Sequence, residues 1–112
     1  MRLKSAIWVA AYLRRCQTEG AFAVLRRRGA EEAGAVFIKV DRLDGNIALY
    51  GPAPQSVFDD AHPSDRAFVL VPSEGPAEIE AYLARQLRFD PDIWIVEVED
   101  RSGQHHLDQV VP

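Results

Sequence analysis

The sequence predicts an α+β domain: a mostly antiparallel sheet of about five strands with two helices packed on one of its faces, in the order α-β-β-β-β-α-β. Three observations carry this expectation. Apolar residues at helical spacing open the chain and recur after Pro76, each time ahead of a helix-stopping residue. Between these segments, two alternating apolar runs flank Asp44-Gly45, a dipeptide typical of hairpin turns. A final alternating run, Ile93 to Glu99, follows the second helix.

The first helix runs from a Ser5 cap to about Thr18, with Gly20 as its left-handed stop. Ile7, Trp8, Val9, Tyr12, Leu13 and Cys16 form a stripe broad enough to be covered on two sides, and Arg14 and Arg15 complement the helix dipole. Phe22 to Arg28 reads as a strand ended by Gly29. In the hairpin, Ala35–Asp41 and Asn46–Tyr50 are joined by the loop Arg42–Gly45, which pairs Asp41 with Asn46. The period-2 rule then sets Val40 against Ile47 and Ile38 against Leu49 on the core side. Lys39 faces Ala48, and Phe37 faces Tyr50, on the other side.

Gly51-Pro52-Ala53-Pro54 is expected to stop the sheet, because proline cannot donate to a ladder. A long surface loop through His62 and Pro63 follows, with one helical turn at Gln55 to Asp59. Ala67 to Val71 reads as a buried strand closed by Pro72. The second helix starts at Pro76, with Glu78 and Glu80 near its positive end and Arg85 and Arg88 near its negative end. Ile79, Tyr82, Leu83 and Leu87 point inward, and Asp90-Pro91-Asp92 breaks the helix. In the last strand Trp94, Val96 and Val98 share one face, and Ile95, Glu97 and Glu99 the other. Residues 1–100 are expected to form one compact domain. Residues 101–112 read as a polar tail that Leu107, Val110 and Val111 can anchor.

The 112 residues suffice for one small domain. Their 47% apolar and 27% charged content excludes bulk disorder, a collagen-like chain and a coiled coil. Cys16 is the single cysteine, so neither an intrachain disulfide nor a Cys-rich metal motif can form. The apolar run Ala6–Leu13 is too short to span a membrane, and Arg14-Arg15-Cys16 stand where a signal-peptide cleavage site would fall. The expected location is the cytoplasm, with no membrane partner.

Several strings make the chain resemble a family of small bacterial proteins known only as domain of unknown function 1491. They are Ile7-Trp8-Val9; Leu25-Arg26-Arg27-Arg28-Gly29 with Gly34-Ala35-Val36-Phe37; Leu49-Tyr50-Gly51-Pro52-Ala53; and Arg88-Phe89-Asp90-Pro91-Asp92-Ile93-Trp94-Ile95-Val96-Glu97. The resemblance implies a single compact cytosolic domain. It brings no activity and no catalytic residues.

Charge is unevenly placed along the chain. Residues 1–42 carry nine Lys/Arg and four acids, and the remainder four Arg and thirteen acids, so a +5 segment precedes a −9 segment. Arg14, Arg15, Arg26, Arg27 and Arg28 form a basic patch if they share a surface, and could then hold phosphate or an acidic ligand. The competing reading pairs the basic half with the acidic half inside one domain, and the net charge of −4 favours it. Asp90-Pro91-Asp92 has carboxylates for a hard cation, but it is also what a helix-to-strand turn requires. His105 and His106 are adjacent, so on extended chain they point apart and do not grip one metal. Cys16 sits at an apolar helix position, where a small buried cysteine is the usual outcome.

No catalytic residue, metal or cofactor is assigned from the sequence. With both helices expected on one sheet face, Phe37, Lys39, Tyr50 and Ile95 would lie on the bare face and form an interaction surface. The expected role is a non-enzymatic module that binds a protein partner or a second copy of itself, with weak nucleic-acid binding through the arginines as the alternative.

Overall fold

Helix α1 spans Ser5–Thr18 and buries Ser5, Val9, Tyr12 and Cys16, residues that recur at helical spacing on one face. The computed structural model in which it is seen describes residues 3–54 and 66–112. The helical turn expected at 55–59 and His62 lie outside the described residues. Lys4, not Ser5, occupies the cap position, and no side chain caps the helix. Its first free N–H groups are satisfied instead by backbone: Ser5 donates to the Glu32 carbonyl (3.0 Å) and Ala6 to that of Glu31 (2.9 Å).

Strands β1 (Phe22–Arg27), β2 (Val36–Asp41), β3 (Ile47–Pro52) and β4 (Phe68–Val71) precede helix α2 (Pro76–Phe89). Strands β5 (Trp94–Glu99) and β6 (Val110–Val111) follow it. They form one six-stranded sheet in the order β1-β5-β2-β3-β4-β6. Three neighbour pairs are antiparallel, β1/β5, β2/β3 and β3/β4, while β2/β5 and β4/β6 are parallel. The sheet is thus mixed, and its sixth strand comes from the tail. β5 inserts between β1 and β2, after a crossover that carries α2.

Three expectations for this region need correcting. The Gly-Pro-Ala-Pro string ends β3 two residues later than expected, at Pro52, which still pairs with Phe68. In β4 only Phe68 is buried. The hairpin register is one residue away from the expected one: Ile38 pairs with Tyr50, Lys39 with Leu49, Val40 with Ala48 and Asp41 with Ile47. The turn takes an extra residue because Leu43 adopts a left-handed φ of 65°. The Asp41 carboxylate accepts from Leu43 N–H (2.7 Å) and Asp44 from Asn46 N–H (3.0 Å).

That slip, and the central place of β2 and β5, put a hydrophobic layer on each side of the sheet. Val36, Ile38, Val40, Trp94, Val96 and Val98 pack against Val9, Tyr12 and Cys16 of α1. Phe37, Leu49, Ile93 and Ile95 pack against Ile79 and Leu83 of α2. Residues of alternate parity on one strand face opposite ways, so the two helices lie on opposite faces and not, as expected, on one. The continuous apolar runs of β2 and β5 are what burial from both sides requires.

Candidate functional site

On the α2 side, side chains from four elements meet in a four-membered ion network. Arg26 of β1 donates to both carboxylate oxygens of Glu80 (2.6 and 2.9 Å) and to Glu97 of β5 (3.1 Å). Lys39 of β2 reaches Glu80 at 2.7 Å and Glu97 at 3.6 Å. Hydrogen bonds from Arg26 and then Lys39 pull the Glu80 carboxyl down to about 2. Two cations and two carboxylates thus satisfy each other, with the Lys39 side chain only 15% exposed. The network joins α2 to the sheet.

On the α1 side, residues 101–112 cross the helix as a strap. Tyr12 donates its hydroxyl to the His105 carbonyl (2.6 Å). Arg15 donates to the His106 carbonyl (3.2 Å) and grips both oxygens of Asp108 (2.7 and 3.1 Å). The His106 ring lies between two carboxylates, with Nδ1 2.5 Å from Glu19 and Nε2 2.8 Å from Asp100. Burial alone would lower the His106 pKa, but the hydrogen bonds to Glu19 and Asp100 outweigh it and raise it. Hydrogen bonds from Ser102 and then His106 hold Asp100 down to about 2. Leu107 is buried in the α1 core, and Tyr50 meets the His105 ring edge-on, with centroids 5.1 Å apart.

The third feature is an edge. Among the described residues, β1 is terminal in the sheet and pairs with β5 alone. Phe22 is 62% exposed, Val24 39% and Leu25 37%. A break in register between Leu25 and Arg27 marks a bulge, after which the strand turns to arginine. Phe22 and Leu43 also line a shallow groove of about 470 Å³ with Glu19, Glu99, Asp100 and Arg101.

The residues anticipated as an interaction surface do not share one. Phe37 and Ile95 are buried beneath α2, where Phe37 meets Tyr82 edge-on at 6.1 Å. Lys39 belongs to the ion network, and Tyr50 lies on the opposite face beside the strap. The arginines are also dispersed. Arg14 is exposed on α1, Arg15 holds the strap and Arg26 binds Glu80. Arg27 donates to the Pro91 carbonyl (2.7 Å), and the Arg28 guanidinium lies 5.2 Å from the Trp94 ring centroid. Cys16 is buried, as expected, and burial raises its thiol pKa.

A family model described as "Protein of unknown function (DUF1491)" matches residues 3–108 of the chain. The chain belongs to the DUF1491 family. The crystal structure of a DUF1491 family protein from Caulobacter crescentus CB15 is 41% identical over 100% of both chains, with a TM-score of 0.82. The solution structure of protein Atu0922 from A. tumefaciens is likewise 41% identical, covering 100% of this chain and 98% of that one, with a TM-score of 0.82. No curated protein matches the chain.

Two of the strings behind the DUF1491 resemblance, those around Gly29/Gly34 and around Asp-Pro-Asp, meet in space at Trp94. Its indole N–H donates to the Ala30 carbonyl (2.8 Å), and Arg28 covers its ring. A side chain at Gly29 or Gly34 would overlap the Asp92 carbonyl and the Trp94 ring, so the loop closes here only with glycine. The Asp90 carboxylate accepts from Asp92 N–H (2.9 Å), the turn role expected of Asp-Pro-Asp. Sequence reading missed two features of this DUF1491 chain: the β1 edge and the His106 cluster. Phe22, Val24 and Leu25 are visible in the sequence, but nothing in it says that their strand is terminal. For His106 the available signal was a histidine pair close behind Asp100.

Proposed function

We propose that the protein is a non-enzymatic interaction module that receives an extended segment of polypeptide along the free edge of β1. The segment comes from a second copy or from another protein. The observation that carries this reading is a strand paired on one side only among the described residues, with Phe22 62% and Val24 39% exposed. An edge strand offers unpaired backbone N–H and C=O groups as a template for an incoming strand. Burying exposed apolar side chains beside that template adds about 1.5–3 kcal/mol for each one fully covered. The bulge and the arginines protect the far half of the strand, so the docking stretch is residues 22–25. The arginines support nucleic-acid binding less well, because Arg15 and Arg26 are engaged by Asp108, Glu80 and Glu97.

Two measurements test the proposal with one variant, Val24→Lys, which places a charge on an exposed edge position. Light scattering from micromolar to millimolar concentration reads pairing between copies. Amide shifts of residues 22–25 in an extract of the native host read pairing with another chain. A mass increase or β1-specific shifts that Val24→Lys abolishes support the module. If the wild type stays monomeric and its β1 amides do not move, the proposal fails.

A further inference from the structure

His105 and His106 are adjacent, yet their contacts demand opposite protonation states. Both ring nitrogens of His106 face carboxylates, Glu19 at the C-terminal end of α1 and Asp100 just beyond β5. A neutral imidazole has one N–H and can satisfy only one of them; both contacts require the imidazolium. The His105 Nδ1 instead accepts the Leu107 backbone N–H at 2.9 Å. That contact requires an unprotonated Nδ1, and so a neutral ring. Both residues sit on the strap that Tyr12, Arg15 and the β4/β6 pairing hold across α1.

We propose that residues 101–112 form a pH-gated latch, closed when His106 is charged and His105 neutral, and loosened when either condition is lost. The groups around the pair come from α1 and its cap, β3, the hairpin loop, the end of β5 and the strap itself. Tyr12 and Arg15 belong to α1, Glu19 caps its C-terminal end, and Asp100 follows β5. Tyr50 of β3 packs on the His105 ring, and Asp108 of the strap is held by Arg15. The Arg42 side chain lies against Gly103. His106 itself adopts a left-handed φ of 58°, a conformation that its surroundings must hold in place.

The shifts of the two rings agree with the geometry and define the window. The pKa of His106 is raised, so its contribution to closure is complete below the free value and lost as pH rises through the raised one. Burial, then the neighbouring His106 charge, lowers the pKa of His105. Its contribution is complete above the free value and lost as pH falls through the lowered one. Closure therefore passes through a maximum, with His105 setting its acid limb and His106 its alkaline limb. Asp100, held at about 2, stays ionised throughout.

The test is amide hydrogen exchange on the full chain between about pH 5 and pH 9, expressed as protection against intrinsic rates. The probes are the Leu107 amide, bonded to His105, and the Phe68 amide, which donates to the Gln109 carbonyl. The Val96 amide in the core is the control. Protection of the strap probes should fall on both sides of the maximum, by up to tenfold per pH unit, without a parallel fall at Val96. His106→Gln should remove the alkaline limb. His105→Asn, whose amide oxygen can accept from Leu107 without titrating, should remove the acid limb. Imidazole ¹⁵N resonances of the unmodified protein supply a reading that needs no variant: at neutral pH, His106 should be protonated on both nitrogens and His105 on one. A flat protection profile, an alkaline limb that survives His106→Gln, or a singly protonated His106 at neutral pH would each overturn the latch.

Discussion

Phe37→Ala separates a buried β2 residue from the solvent-facing one that the hairpin pattern suggested. Phe37 is 4% exposed and shares the α2-side core with Leu49, Ile79, Leu83, Ile93 and Ile95, while Tyr82 meets its ring edge-on. Truncation removes the ring's transfer free energy and leaves a cavity beneath a helix tied at one side to the sheet by the Glu80 ion pairs. Partial collapse of that space places the loss at about 3–5 kcal/mol. For a domain of this size the melting temperature would fall by roughly 12–20 °C. Urea denaturation with matched m-values is the assay, and Phe89→Ala is the control. Phe89 is 85% exposed, and its truncation should change stability by less than about 0.5 kcal/mol. If Phe37→Ala cost no more than Phe89→Ala, Phe37 would be at the surface and the placement of α2 would be wrong.

Two further substitutions probe the polar contacts. Glu80→Gln should cost about 1 kcal/mol at neutral pH, well below what the full pKa shift implies, because the Glu80 side chain is 41% exposed and screened. A carboxylate depressed from 4.5 to about 2 stabilises above the higher value and loses its effect as pH falls through the lower. The wild-type and Glu80→Gln unfolding curves should therefore converge on acidification, and a gap that persists undiminished at pH 2 would count against the network. Ser5 is fully buried, donates to the Gly34 carbonyl (2.6 Å) and accepts from Arg66 (2.9 Å). Ser5→Ala should cost about 1–3 kcal/mol in the same urea assay, whereas a loss within error would show that neither bond matters.

Local pattern was enough for the helices and most strands, because helix stops, proline placement and apolar period are written within a few residues of one another. Pro76 opens α2, and Ile79 and Leu83 are buried as their spacing requires. The hairpin was legible in kind but not in register. Its parity depends on a left-handed Leu43, and leucine carries no preference for that conformation. The insertion of β5 between β1 and β2 depends on contacts remote in sequence, which periodicity does not encode. One available signal was underused: Val36-Phe37-Ile38 and Trp94-Ile95-Val96 are apolar on consecutive positions, the mark of strands covered on both faces. The anticipated surface was displaced for the same reason. With both faces covered, Phe37 and Ile95 are buried, while Phe22, Val24 and Leu25 at the β1 edge stay exposed.

The central claim is that a helix packs on each sheet face and that, among the described residues, Phe22 and Val24 of β1 stand open to solvent. A soluble paramagnetic probe, with line broadening measured at side-chain resonances in dilute solution, tests it most directly. The account predicts strong broadening at Phe22 and Val24 and none at Phe37 and Ile95, which are 4% and 1% exposed. Broadening at Phe37 and Ile95 equal to that at Phe22 and Val24 would contradict it.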